Sequence, residues 1–146
     1  MSGYSGTPLA RKLGLKEGLA VAFAGLPEGL DDLTRAAAFR DLQTVPDWRG
    51  IEGAGLDYIH LFTDSAAELD AATPALRARM APGGSFWVSW PKRASKVETD
   101  VTEDVIRARA LSDILVDVKV CAVDEVWSGL KLMIRKHLRD EHAKGL

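Results

Sequence analysis

Residues 57–90 read DYIHLFTDSAAELDAATPALRARMAPGGSFWVSW and, with the continuation to residue 136, decide the fold. The run Asp57-Tyr58-Ile59-His60-Leu61-Phe62 has the apolar, aromatic character of a strand. Ser65 and Glu68 then form a Ser-x-x-Glu capping box, in which each side chain satisfies a backbone amide at a helix start. Leu69, Ala72, Leu76 and Met80 recur at spacings of three or four and mark the buried stripe of that helix. Pro82-Gly83-Gly84 is expected to end it and to feed a further strand, Ser85-Phe86-Trp87-Val88-Ser89-Trp90.

Downstream, Asp100 and Glu103 read as a second capping pair, with Val101, Val105, Ala108 and Leu111 as the apolar helical face. Val116, Val118, Val120 and Ala122 alternate with Asp117, Lys119 and Cys121, and Leu130, Leu132 and Ile134 with Lys131, Met133 and Arg135. Joined over residues 124–129, these two half-exposed strands make an antiparallel hairpin. Residues 137–146 are charged and are expected to fray.

Upstream, residues 1–18 read as an arm and a short helix started by Thr7 and Pro8 and stopped by Gly14. Leu19-Ala20-Val21-Ala22-Phe23-Ala24 is continuously apolar, as suits a central strand covered on both faces. Glu28, Asp31 and Asp32 put acids in the first turn of a helix expected to end near Arg40. Residues 41–56 contain Pro46, Gly50, Gly53 and Gly55, which leaves room for one short strand and loops. Strands alternating with helices specify the α/β class, here a three-layer sandwich with a mainly parallel sheet and a C-terminal antiparallel β-hairpin. One domain over residues 1–146 is expected.

The balance of 19 Lys+Arg against 21 Asp+Glu provides no broad positive field, so nucleic acid is not an expected partner. With 47% hydrophobic and 27% charged residues the chain has ordinary globular composition, and no window approaches a membrane-spanning run. The N-terminus lacks the basic-then-apolar pattern of an export signal, and the lone Cys121 sits in a valine-rich run without a bridging partner. A cytoplasmic protein with no membrane association is expected.

The order of elements, with Met80-Ala81-Pro82-Gly83-Gly84 approximating a Leu-x-Pro-Gly-Gly link before the strand of residues 85–90, resembles class I methyltransferases, the Rossmann-like enzymes that use S-adenosylmethionine. The chain reads as a truncated member of that fold. Through Tyr4-Ser5-Gly6-Thr7-Pro8-Leu9, Trp87-Val88-Ser89-Trp90-Pro91-Lys92 and Asp124-Glu125-Val126-Trp127-Ser128-Gly129-Leu130-Lys131, it also resembles an uncharacterised family of short bacterial proteins, which implies no activity. The methyltransferase resemblance implies a Gly-x-Gly-x-Gly turn after the first strand and an acidic residue ending the second, which holds the ribose hydroxyls. Here the turn is Gly25-Leu26-Pro27-Glu28-Gly29, in which Pro27 removes an amide and Leu26 and Glu28 add side chains. Glu52 is the acid the sequence offers for the ribose. Residues 62–65, Phe-Thr-Asp-Ser, depart from the Asn/Asp-Pro-Pro-Tyr motif of N-methylating members.

In open α/β sheets ligands bind beyond the carboxyl ends of the strands, so the expected rim comprises residues 25–29, 63–65 and 90–96. Gly25, Gly29 and Asp64 would line a cofactor site there. Trp90, Lys92, Arg93 and Lys96 form the best local binding candidate: three cations after an aromatic side chain can hold a carboxylate or phosphate. The plain alternative is a solvated loop neutralised by Glu98, Asp100, Glu103 and Asp104. Trp127 at the hairpin either presents its indole to a ligand or folds back onto the sheet. The arm over residues 4–9 either closes over the rim or docks as a turn. His60, mid-strand, reads as a hydrogen-bonded core residue, and no His-Glu-x-x-His or Cys-x-x-Cys motif announces a metal.

These readings favour a cofactor-free binding or regulatory module for an unidentified small molecule or protein, using the 90–96 loop, the Trp127 hairpin and the arm. The alternative is an S-adenosylmethionine-dependent methyltransferase with an atypical cofactor loop. A third is a structural protein that forms a homodimer through its hairpin.

Overall fold

The computed structural model describes residues 8–146. Its strands are β1 (Ala20–Ala24), β2 (Asp41–Val45), β3 (Leu56–Phe62), β4 (Met80–Pro91), β5 (Leu115–Ala122) and β6 (Trp127–Ile134), in one sheet of order β2-β1-β3-β4-β6-β5. The first four are parallel, and β6 runs antiparallel to both β4 and β5. The α-helices are α1 (Leu9–Leu13), α2 (Ala66–Arg77), α3 (Glu103–Ser112) and α4 (Arg139–Lys144).

Because strand side chains alternate, each apolar run divides between two cores. Ala20, Ala22 and Ala24 join Ile59, Leu61, Phe86 and Val88 under α2 and α3, whose Leu69, Ala72, Leu76, Ile106 and Ala110 complete that layer. Val21 and Phe23 join Tyr58, Phe62 and Trp87 on the other face, beneath Leu13 of α1 and Leu30 and Leu33. Trp87 is fully buried and its Nε1 donates to the Leu13 carbonyl at 2.9 Å, fastening α1 to the sheet. Gly129, which pairs with Ser89, leaves room for the Trp87 ring: a Cβ there would stand 3.1 Å from it.

Several elements differ from the sequence reading. The segment after Pro27 is a 3₁₀ helix over Glu28–Arg35, not a helix reaching Arg40. Its buried residues, Leu30 and Leu33, are three apart, the repeat of a 3₁₀ turn, and Asp31 and Asp32 hold Arg35. Helix α2 stops at Arg77, and Met80 belongs to β4 rather than to the helical stripe. Pro82-Gly83-Gly84 therefore lies inside β4, where the pairing jumps from Leu56 with Met80 to Tyr58 with Ser85. Thr102 caps α3 by accepting from the Val105 amide at 3.2 Å, while Asp100 accepts from the Ala66 amide of α2 at 2.7 Å. The second capping pair is thus replaced by a bridge between two helix starts.

At the sheet edge, the pairing shifts between Asp117 and Lys119. Val118 and Val120 are consequently exposed, at 49% and 48%, and Cys121 is buried, the reverse of simple alternation. Nor does the C-terminal segment fray: α4 packs on β4, with His142 Nε2 donating to the Met80 carbonyl at 2.7 Å. The proposed cap Thr7 and most of the arm lie outside the described residues. Among the described residues no helix is long and apolar enough to cross a membrane.

Gly84 provides a direct test of the β4 irregularity, since a Cβ there would sit 2.8 Å from the Leu56 carbonyl oxygen while one at Gly83 meets nothing within 4 Å. Gly84→Ala should lower unfolding free energy by about 1–3 kcal/mol in urea denaturation, as overpacking does, and Gly83→Ala should change it far less. Equal effects would show that the close approach is not the constraint.

Candidate functional site

The carboxyl ends of β1, β2 and β3 meet at Gly25. Its amide donates to the Val45 carbonyl of β2 at 2.9 Å, and a Cβ on it would stand 3.0 Å from the Phe62 carbonyl of β3. Its φ of +71° is left-handed, a conformation that glycine adopts without strain. Pro27 then starts the 3₁₀ helix in extended geometry, and its carbonyl accepts from the Leu30 amide at 2.9 Å. Leu26 packs its side chain on the core beneath that helix. Gly29 is exposed and has open space where a Cβ would be.

Two exposed carboxylates flank this junction. Asp47, two residues beyond β2, accepts from the Arg49 amide at 2.8 Å and forms an ion pair with its guanidinium at 3.2 Å. Arg49 in turn covers the Trp48 ring at 4.5 Å. Asp64, two residues beyond β3, is held through its backbone: its carbonyl accepts from Thr99 Oγ1 at 2.7 Å. The nearby start of α2 is occupied, because Ser65 Oγ accepts from the Glu68 amide at 3.2 Å and Asp100 holds Ala66. Glu52, suggested for a ribose, lies beside the middle of β2, where its backbone exchanges two 2.8 Å hydrogen bonds with the Gln43 side chain.

Trp90 near the end of β4 and, beyond the strand, Lys92, Arg93 and Lys96 line one cleft of about 540 Å³ that extends along residues 97–103. Thr99, which holds Asp64, is in its wall. The turn is compact: Ser95 Oγ donates to the Lys92 carbonyl at 2.7 Å, and the Lys92 amide donates to the Val126 carbonyl at 2.8 Å. Lys96 is held at φ +62°, in the left-handed region. Trp127 is elsewhere. It pairs with Pro91 while Trp90 pairs with Ser128, so the two indoles fall on opposite faces. The Trp127 ring sits edge-on to Phe62 with centroids 5.3 Å apart.

His60 is fully buried between β-strand neighbours, with Nδ1 2.8 Å from the Tyr58 hydroxyl and Nε2 2.6 Å from Ser89 Oγ. A neutral imidazole has one N–H and one lone pair, so it donates to one hydroxyl and accepts from the other. Burial lowers its pKa to about 3, and burial followed by the proximity of Cys121 pushes the Tyr58 hydroxyl well above its ordinary value. With Phe62 stacked on the ring at 4.2 Å, this polar chain belongs to the core and not to the rim. Among the described residues no group of three or more His, Cys, Asp or Glu side chains is arranged to hold a metal.

Sequence reasoning missed Asp47 and Thr99. The signal for Asp47 was the five-residue strand Asp-Leu-Gln-Thr-Val before Pro46, too polar to stand out because β2 is an exposed edge strand. Thr99 had no local signature, since its partner is 35 residues away.

No protein-family model and no curated protein matches the chain. Solved structures do. Magnesium protoporphyrin IX methyltransferase from Synechocystis PCC 6803 with bound SAM is similar at a TM-score of 0.60 and 14% identity, covering 85% of this chain and 73% of that one. A SAM-dependent O-methyltransferase from Thermotoga maritima has a TM-score of 0.60 and 11% identity, covering 86% and 63%. The glycopeptide N-methyltransferase MtfA complexed with sinefungin has a TM-score of 0.54 and 9% identity, covering 86% and 83%. The fold is therefore the Rossmann-like α/β fold of methyltransferases, in a form shorter than these relatives.

The buried imidazole has a measurable consequence. His60 stays neutral in the folded protein until about pH 3, whereas the unfolded chain takes up its proton near 6.5. The contribution is complete above the unfolded pKa and is lost as pH falls, at about 1.4 kcal/mol per pH unit. In urea denaturation across that range, the stability difference between the protein and His60→Gln should shrink toward acid. A difference independent of pH would contradict a neutral buried His60.

Proposed function

We propose that the chain is an S-adenosylmethionine-dependent methyltransferase with an atypical cofactor loop, its adenosyl ligand lying along the Gly25 junction. The observation that carries this reading is the meeting of three parallel-strand ends at a left-handed glycine, with Asp47 and Asp64 on either side. That three solved relatives of this fold are methyltransferases, one with SAM and one with sinefungin bound, adds support.

The residues present fit such a ligand at its two ends. A ribose diol needs a carboxylate acceptor beyond the second strand, and Asp47 stands there. Its present partner Arg49 is a mostly exposed ion pair, which contributes little stability and yields readily to a better hydrogen-bonding partner. At the methionine end Gly25 presents no side chain, but its amide is given to Val45 and Pro27 withdraws another from the loop, so weaker binding than a glycine-rich turn provides is expected. When bound, the cofactor supplies an electrophilic methyl group on a sulfonium. The exposed Asp64 carboxylate places negative charge at the end of β3, where it can balance a cation or accept a proton from a nucleophile. Thr99 fixes the backbone that carries it.

A second reading, a binding module without methyl transfer, is favoured by Pro27 and by the occupied start of α2. Calorimetric titration with S-adenosylmethionine and S-adenosylhomocysteine separates the two. Binding at a Kd of about 100 µM or tighter is expected, weakened about tenfold by Asp47→Asn, which removes the charge and keeps an acceptor for the Arg49 amide. Absence of binding to either compound at about 1 mM would reject the cofactor assignment and leave the module.

A further inference from the structure

We infer that the cleft at the end of β4 is a binding site for a small aromatic anion, a carboxylate or phosphate ester whose ring rests against Val97 and the edge of Trp90 and whose charge is held by Lys92 and Arg93. This inference stands on the cleft alone and needs no adenosyl ligand at the rim.

The first support is charge. Lys92, Arg93 and Lys96 line the cleft, and none of them forms an ion pair among the described residues. The acids that sequence proximity assigns to neutralise them have other partners. Asp100 accepts from the Ala66 amide, and Glu103 and Asp104 both pair with Arg107. Arg107 itself also reaches Asp117 of β5 at 3.0 Å. The lining of the cleft sets three cations against two carboxylates, Glu98 and Glu103, and Glu103 is held by Arg107, so the lining carries a small positive excess.

The second support is shape and rigidity. A volume of about 540 Å³ falls within the usual range for small-molecule sites, about 300–1,000 Å³. The cleft has an apolar base, because Trp90 and Val101, 7% and 1% exposed, extend the core of the α2 and α3 face up to it. A flat ring can lie against the exposed Val97 and the accessible edge of the Trp90 indole while its acidic group stays in reach of the bases, a division of labour that isotropic inorganic anions do not exploit. The cations are also mounted on a fixed support. The Ser95 and Lys96 amides donate back to the Lys92 and Arg93 carbonyls, at 3.0 and 3.1 Å, and the Lys92 amide is tied to the hairpin. A turn already closed loses little entropy on binding. Lys96 in the left-handed region is the local strain that this closure carries.

The test is calorimetric titration of the protein, without adenosyl compounds, using benzoate, phenyl phosphate, inorganic phosphate and benzyl alcohol. At least one aromatic anion should bind with a Kd below about 1 mM, and inorganic phosphate and benzyl alcohol should each bind at least about tenfold more weakly. Benzoate or phenyl phosphate as the tighter ligand identifies the acidic group. Lys92→Ala, at a half-buried position, and Arg93→Ala, at an exposed one, should each weaken binding about tenfold, and Glu98→Gln should tighten it. Circular dichroism melts confirm that the variants fold. If neither aromatic anion binds with a Kd below about 1 mM, if inorganic phosphate binds as well as phenyl phosphate, or if a variant carrying both Lys92→Ala and Arg93→Ala binds undiminished, the assignment is overturned. Because no arm contains an adenosyl ligand, failure here leaves the cofactor reading untouched, and failure of the cofactor titration leaves this cleft.

Discussion

The approach of Gly25 to the Phe62 carbonyl, 3.0 Å from where a Cβ would stand, sets the geometry on which the rim depends. With its amide committed to Val45, this residue ties the end of β1 to both neighbouring strands at once. Any side chain here would have to push β3 away or leave the left-handed backbone conformation. The same junction brings the turns after β2 and β3, and hence Asp47 and Asp64, to either side of one bare stretch of backbone.

Behind the rim, the sheet is held by two cores of different character. The face under α2 and α3 is lined by apolar side chains, with buried Thr73 of α2 donating back to the Leu69 carbonyl of its own helix at 2.7 Å. The opposite face includes a hydrogen-bonded chain, Tyr58 to His60 to Ser89, and the Trp87 to Leu13 bond. Such a network is favourable only when every member is satisfied, and it fixes a single arrangement of β3 against β4 where apolar packing alone would tolerate several. The thin cover on this face, a five-residue α1 and a 3₁₀ helix, depends on that specificity.

The fold was largely legible from residues 57–136 because the runs there are long, apolar and bounded by strong turn and capping signals. What escaped had a physical reason in each case. Met80 fits a helical stripe by spacing alone, yet Pro82-Gly83-Gly84 lies within an irregular strand because Gly84 permits the close contact with Leu56. Asp100 resembles a cap for α3 and instead serves α2, a pairing across 34 residues that no local window contains. The tail's charge pattern concealed α4, whose anchoring bond from His142 reaches back to Met80. At the site, Gly25 and the basic turn were readable as residue types, whereas Asp47 was hidden by the polarity of an edge strand. The sequence placed four acids near three bases. Only the three-dimensional arrangement reveals that three of those acids are engaged elsewhere.

A crystal structure of the protein with S-adenosylhomocysteine decides whether the Gly25 junction is a cofactor site. The ligand is expected along Gly25 and Leu26, its ribose hydroxyls on Asp47 in place of Arg49 and its sulfur on the Asp64 side. Ligand bound away from Gly25, or a rim without ligand at saturating concentration, would contradict that assignment.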